Sequence, residues 1–337
     1  MSGTRATPRI IVFNMNFIGD VLFTTPALAA LRKGYPEAEV TVVVGRRAKD
    51  VLVANPDVDH LVEFPRTLSE RWQLLRRFFR RFDLSLSLSS RNVERAAWGM
   101  ALGCRQRWGF NRPETRLFLT GRIEERRDRH WAEDYLELAC LAGGKRNGDL
   151  PRFYLTPEEK AWAEELPARW GLRPGHLWIG VHVGASYPEK AWRPERFLEL
   201  ARLADEASGA QVIAFGGPGE EAATGDWLAT QATNAVNLAG KLSLRDFAAA
   251  VSRCTAFVGG DSGPTHIAAA LGVPTVGLYG FTDPTRMGPL GERVEVLLGL
   301  ERHWDPNAQR LQESPYQWLD PISPEEVWKA IGRLTAR

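Results

Sequence analysis

Phe257-Val-Gly-Gly-Asp-Ser-Gly-Pro-Thr-His-Ile-Ala-Ala-Ala-Leu-Gly-Val-Pro-Thr-Val-Gly-Leu-Tyr-Gly280 reads as a strand, a tight turn, a short helix, a glycine stop and a second strand. Gly259 and Gly260 let the backbone turn sharply after the apolar run. Asp261 or Ser262 can then cap a helix whose first N–H groups point outward, and Pro264 suits a first turn, where no N–H is needed. A helix N-terminus with open amides and a partial positive charge is a ready site for phosphate. His266, in the same first turns, can lean over that mouth. An ordinary strand–helix–strand crossover with a capped helix accounts for the same residues, so this stretch alone leaves both readings open.

The same rhythm extends in both directions. Toward the N-terminus, residues 8–15 form a short apolar run suited to a buried strand. A turn at 14–20 leads into a helical pattern reaching about Lys33, and Pro26 inside it implies a helix that begins late or bends. Strands are expected at 40–44, 60–64 and 83–88, with helices at 46–54, 68–82 and 92–102. The helix at 68–82 places Trp72, Leu75, Phe78, Phe79 and Phe82 on one side and Arg71, Arg76, Arg77, Arg80 and Arg81 largely on the other. After a helix at 130–142 and a hinge near 169–175, the alternation restarts. It gives strands at 177–183 and 211–215, helices at 194–207, 220–231 and 243–252, and a last helix at 324–334 opened by Ser323. Strands alternating with helices are the signature of α/β, doubly wound parallel sheets.

At 337 residues the chain exceeds the usual single core, so two domains are expected: 1–168, 176–322, and a C-terminal helix at 323–337. Its 44% hydrophobic and 25% charged residues describe an ordinary globular protein. Cys104, Cys140 and Cys254 are scattered, which argues against a disulfide framework or zinc site and fits a reducing cytoplasm. No apolar run reaches the ~18 residues of a membrane span. Pro8, Asn14, Asn16 and Asp20 interrupt any signal-peptide core. The net charge of +2 hides an asymmetry: residues 66–129 hold sixteen Arg against seven Asp or Glu, a local excess of nine. Such a block suggests an anionic partner such as phosphorylated lipid, nucleic acid or acidic sugar, and a solvated helix face is the alternative.

Two open α/β sheets joined by a hinge would place a ligand cleft at the carboxyl ends of their strands. Glycine-bearing turns fall at such ends at 16–20, 184–190, 216–220 and 259–263. None matches G-x-G-x-x-G or G-x-x-x-x-G-K-[ST], which disfavours a nicotinamide oxidoreductase and a P-loop ATPase. What remains is a phosphate site of backbone amides and one lysine.

The paired motifs Gly19-Asp-Val-Leu-Phe-Thr-Thr-Pro-Ala-Leu28 and Asp261-Ser-Gly-Pro-Thr-His-Ile-Ala-Ala-Ala-Leu271 resemble glycosyltransferase family 9, the family of ADP-heptose:lipopolysaccharide heptosyltransferases. Lys190-Ala-Trp192, Phe215-Gly-Gly-Pro-Gly-Glu220, Leu242-Ser-Leu244 and Tyr279-Gly-Phe-Thr-Asp-Pro284 fall in that family's order and spacing, so the resemblance covers almost the whole chain. It implies a GT-B fold: two Rossmann-like domains facing each other across a cleft, acceptor on the first and nucleotide sugar on the second. The C-terminal helix would pack back toward the first domain. Many relatives carry a cysteine cluster before the last helix; residues 303–320 here have none, and 300–321 read as a loop bearing Trp and Pro. That departure bears on the acceptor rather than on the donor fold.

Carried over residue by residue, Asp20 matches the family's general base, although capping its own helix is the simpler reading of the residue by itself. Lys190 matches the lysine on the donor's diphosphate. Asp261, Ser262, Gly263 and His266 match the donor-contacting set, Ser186 a phosphate-contacting hydroxyl, Glu220 the acid on the nucleotide ribose, and Leu242 an apolar residue beside the nucleoside. The implied chemistry is inverting sugar transfer from an ADP-sugar, with no metal or other cofactor, to an anionic lipid-linked core saccharide. Arg71, Arg76, Arg77, Arg80 and Arg81 could hold the acceptor's acidic groups or rest against the inner face of the plasma membrane, which would make this a cytoplasmic, peripheral enzyme. Other readings are transfer from another nucleotide sugar to a different cell-surface glycan, a nucleotide-sugar epimerase of the same fold, and a non-catalytic binder of anionic polymers. No RRM, KH or helix-turn-helix signal supports nucleic acid as the partner.

Overall fold

The computed structural model describes residues 7–15, 17–89, 92–185, 187–300 and 314–336. It divides into two compact units, Met1–Tyr154 and Leu155–Arg337. The division falls ahead of the hinge expected near 169–175. The physical reason lies in α6 (Pro157–Glu164), which packs on α10 (Leu244–Val251) of the second unit. Glu159, which closes the Thr156 capping box, accepts from Arg245 Nε at 2.6 Å and so ties the two helices. The segment 157–168 therefore belongs with the second unit.

The first unit holds one parallel sheet of β1 (Arg9–Phe13), β2 (Glu39–Val44), β3 (His60–Glu63), β4 (Leu84–Ser87), β5 (Gln106–Phe110) and β6 (Gly121–Ile123). Their spatial order is β3-β2-β1-β4-β5-β6. The second unit repeats the scheme with β7 (Trp178–His182), β8 (Gln211–Phe215), β9 (Ala235–Asn237), β10 (Ala256–Gly260), β11 (Thr275–Tyr279) and β12 (Val294–Leu298), ordered β12-β11-β10-β7-β8-β9. All pairings are parallel, as βαβ crossovers require. Ile10, Ile11 and Val12 are fully buried in succession, and every residue of β7, β8, β10 and β11 is buried. Burial without alternation means that helices cover both faces of each sheet. In each sheet the strand order reverses direction between two central neighbours, β1/β4 and β7/β10. That switch point is where α/β sheets leave a crevice for ligands.

The remaining helices are α1 (Ile18–Leu22), α2 (Thr25–Gly34), α3 (Leu68–Phe78), α4 (Val93–Ala101), α5 (Trp131–Leu141), α7 (Leu166–Trp170), α8 (Pro194–Ser208), α9 (Glu220–Gln231), α11 (Gly263–Ala270), α12 (Pro284–Met287) and α13 (Pro324–Thr335). Pro26 acts as expected: the helical pattern breaks into α1 and α2, and α2 restarts with Pro26 in its first turn. The stretch 46–54, expected as an α-helix, is a 3-10 helix at Arg46–Leu52.

One expectation needs correction. Helix α3 ends at Phe78, not Phe82, because Phe79 leaves helical geometry and Arg80 takes a positive φ of 55°. Leu74, Phe78 and Phe82 face the core, whereas Trp72 is 66% and Phe79 51% exposed, so the aromatics do not share one side. The C-terminal helix α13 spends its apolar face on the second unit. Val327, Ala330 and Ile331 join the core beneath β10 and β11, and α8 packs alongside.

Candidate functional site

The second unit's switch point gathers most of the expected donor residues. Strand β10 ends at Gly260, and Asp261 and Ser262 lead directly into α11. A Cβ on Gly260 would stand 2.4 Å from the Lys190 carbonyl oxygen, so only glycine admits the loop carrying Lys190 this close to the strand end. Lys190 consequently forms an ion pair with Asp261, whose side chain is 5% exposed. The other Asp261 oxygen lies 3.5 Å from His266 Nε2 and 3.4 Å from the buried Tyr279 hydroxyl, which also donates to the Met287 carbonyl at 3.1 Å.

Burial alone would raise the Asp261 carboxyl. The His266 hydrogen bond and the Lys190 charge outweigh it and hold the group far below the usual carboxylate range. Burial, with the Asp261 charge, pushes the Tyr279 phenol well above 10. Asp261 is thus a hub, ionised at neutral pH, that orients Lys190 and His266. Lys190 also lies 5.8 Å from the Tyr187 ring centroid.

Ser262 occupies the N-cap of α11, yet its hydroxyl makes no cap hydrogen bond. The first-turn amides of a helix have no intrahelical acceptor. With Pro264 in that turn and the cap withheld, the N-terminus of α11, starting at Gly263, keeps the anion-binding character expected of it. Glu220 is exposed at the start of α9, and Leu242 is half-buried just before α10. Ser186 lies outside the described residues. Among the described residues, no group of three or more His, Cys, Asp or Glu side chains is placed to hold a metal ion.

The first unit's switch point carries Asp20 on α1, half-buried. At the end of β1, the buried Asn14 donates to Thr24 Oγ1 at 2.7 Å, and its carbonyl accepts from Arg95 Nε at 2.5 Å. Arg95 is itself buried and its guanidinium lies 5.0 Å from the Phe64 ring centroid. Burial lowers its pKa, and the charges of Glu94 and Asp20 partly offset that. The Asp20 charge therefore acts on a buried cation. Of the five arginines singled out on α3 and its C-terminal end, Arg71 is drawn to Glu94 at 2.9 Å, while Arg76, Arg77, Arg80 and Arg81 are exposed.

Four residues escaped the sequence reading: His182, Glu221, Tyr279 and Arg95. His182 ends β7, with Nδ1 3.2 Å from Ser262 Oγ and Nε2 3.6 Å from Glu221 Oε2. Its only sequence signal is a polar residue closing an apolar strand beside Gly184. Arg95 was legible only as one charge among sixteen.

The family described as glycosyltransferase family 9 (heptosyltransferase) matches residues 71–316. Lipopolysaccharide heptosyltransferase 2 of Escherichia coli is 28% identical over 97% of this chain and 98% of its own. Lipopolysaccharide heptosyltransferase 1 of Pseudomonas aeruginosa is 28% identical over 86% and 83%. Among solved structures, a family 9 glycosyltransferase from Veillonella parvula superposes with a TM-score of 0.86 at 27% identity, covering 99% of both chains. The ADP-heptose lipopolysaccharide heptosyltransferase II of Escherichia coli shares the GT-B-like fold, with a TM-score of 0.78 at 24% identity over 97% and 98%. With paired doubly wound sheets, the glycine-lined turn before α11 and a family match across most of its length, the chain belongs to glycosyltransferase family 9.

Proposed function

We propose that this protein transfers a heptose, or a closely related sugar, from an ADP-activated donor to an anionic, lipid-linked core saccharide, with inversion and without a metal. The observation that carries the donor half is the Lys190–Asp261–His266 cluster beside an N-terminus whose cap residue does not cap it. In this reading Lys190 and the first-turn amides of α11 take up the charge that develops on the departing diphosphate. Ser262, Gly263 and His266 line the same mouth, Glu220 meets the ribose, Leu242 the nucleoside, and Ser186 adds a hydroxyl to the phosphates. Asp20 takes the proton of the acceptor hydroxyl as that oxygen attacks the anomeric carbon from the side opposite the nucleotide. In this reading proton transfer falls late, when the attacking hydroxyl has become acidic.

The acceptor side of the proposal rests on the arginine block. Arg76, Arg77, Arg80 and Arg81 stand exposed beside the exposed Leu68, Trp72 and Phe79, a combination suited to an anionic lipid-linked acceptor and to the inner leaflet that carries it. Each such charge near an anionic surface is worth about 1 kcal/mol. No helix among the described residues is long and apolar enough to cross a membrane.

The test combines thermal shift and turnover. ADP and ADP-heptose should raise the melting temperature, and the protein should transfer heptose to a lipid A–inner-core acceptor. Asp20→Ala should retain ADP binding and lose about 100- to 10,000-fold in transfer. Stabilisation by uridine nucleotides but not ADP, or unaltered turnover in Asp20→Ala, would overturn the assignment.

A further inference from the structure

Helices α3, α6, α10 and α13 begin with a Thr or Ser whose hydroxyl accepts the backbone N–H three residues on, the ordinary cap. Ser262 has the same residue type and an extended backbone at the start of α11, but its hydroxyl accepts no backbone N–H of the helix. It lies 3.2 Å from His182 Nδ1 and 3.2 Å from Thr265 Oγ1. Thr265 donates its single hydroxyl proton to the Gly260 carbonyl at 2.6 Å. The Ser262 proton has three acceptors within reach, Thr265 Oγ1, the Gly260 carbonyl at 3.4 Å and His182 Nδ1, and His182 Nδ1 takes it when the imidazole carries its own proton on Nε2.

Glu221 selects that tautomer. Its carboxylate lies 3.6 Å from His182 Nε2 and also accepts the Gly217 amide. The contact with His182 lowers the Glu221 pKa against the opposing effect of burial. The surroundings are shaped around this chain of groups. A Cβ on Gly184 would come within 2.2 Å of the Glu221 carboxylate, and one on Gly259 within 3.2 Å of His182 Cβ. Strands β7 and β10 are the switch-point neighbours, so the imidazole at the end of one reaches the cap residue at the end of the other.

We propose that His182, oriented by Glu221, is a positioning residue of the donor site: by taking the Ser262 hydroxyl it keeps the N-terminus of α11 uncapped and open to the donor's diphosphate. The inference rests on the donor-site reading above. Without His182, Ser262 loses one of the three partners that hold its hydroxyl off the α11 amides, and capping then competes better with phosphate.

The test is a double-mutant cycle read as the Kd for ADP by calorimetry, with melting temperatures as a fold control. His182→Ala should weaken ADP binding about five- to tenfold, the worth of one cap interaction. In a Ser262→Ala background, which has no hydroxyl left to cap the helix, adding His182→Ala should change the affinity no further. A purely structural histidine would instead give the same loss in both backgrounds, and that result overturns the proposal. His182→Asn places an amide oxygen where Nδ1 stood and should retain ADP affinity, whereas His182→Gln lacks that acceptor and should lose it. The reverse order, measurable even if His182→Ala does not fold, also overturns it. Lys190→Met separates the two levels: unchanged ADP binding there removes the donor site itself, while weakened binding there with a neutral His182→Ala removes only the role of His182.

Discussion

Replacing Lys190 with methionine deletes the charge assigned to the donor's diphosphate and keeps most of the side chain's stem. Two consequences can be sized separately. A charge-assisted hydrogen bond to phosphate is worth about 1.5–3 kcal/mol, or about 10- to 150-fold in Kd. The second consequence is inside the protein, where Asp261 loses one of the cations facing its buried carboxylate. Breaking a buried pair by removing one partner costs about 3–5 kcal/mol. Because His266 and Tyr279 still face Asp261, the lower end applies. For a unit of this size about 3 kcal/mol is roughly 6–12 °C in melting temperature. Adding Asp261→Asn removes the stranded charge, so the double variant should recover most of the melting temperature while ADP affinity stays low. Calorimetry with ADP and thermal unfolding of the three proteins make the measurement. An unchanged Kd in Lys190→Met, or a double variant no more stable than the single one, refutes the reasoning. The pH profile adds a sign. Asp261 is depressed in the folded state, so its contribution is fully present above the unfolded value of about 3.9 and is lost as pH falls through the folded pKa.

Arg245→Met should lower stability by about 1–3 kcal/mol in denaturant titrations. This is less than a fully buried pair would cost, because both partners keep some solvent contact. Burial alone would raise the Glu159 pKa, but the Arg245 hydrogen bond brings it below the ordinary value, so the difference between wild type and variant should shrink as pH falls below about 4.3. The thiols give a simpler check. Burial pushes Cys104 to about 11 and Cys254 to about 12, so at pH 8 both should resist alkylation in the folded protein and react quickly once it is unfolded. Rapid labelling of Cys254 in native protein, followed by mass spectrometry, would contradict its placement in the core.

Local chemistry made much of the fold legible. Short Ile- and Val-rich runs cannot be satisfied at a surface, so the strands at 9–13, 39–44, 178–182 and 211–215 stand out by composition. Helix starts at Ser243 and Ser323 follow from cap residues, and Pro26 marks its break by chain geometry. The strands β5, β6, β9 and β12 left no such mark. β6 and β9 run only three residues at sheet edges, where pairing with a neighbour rather than their own apolarity makes them strands. Helix α3 failed for a related reason: its apolar residues fall on two stripes, and only packing decides which one meets the core.

The candidate site divides along the same line. The sequence by itself determined two doubly wound units, a glycine turn feeding a helix that opens on Gly263 and Pro264, and Asp20, Lys190, Asp261 and His266 as the residues to watch. Only tertiary structure decided what those residues do to each other. Asp261 becomes a buried hub, Arg95 a buried cation within reach of the Asp20 charge, and His182 the group that holds Ser262 off its own helix. Those relations join residues about 70–80 positions apart in the chain, and they exist because parallel strands bring their carboxyl ends side by side at one edge of the sheet. Local propensity acts over a few residues and carries no record of which distant strand end will be the neighbour.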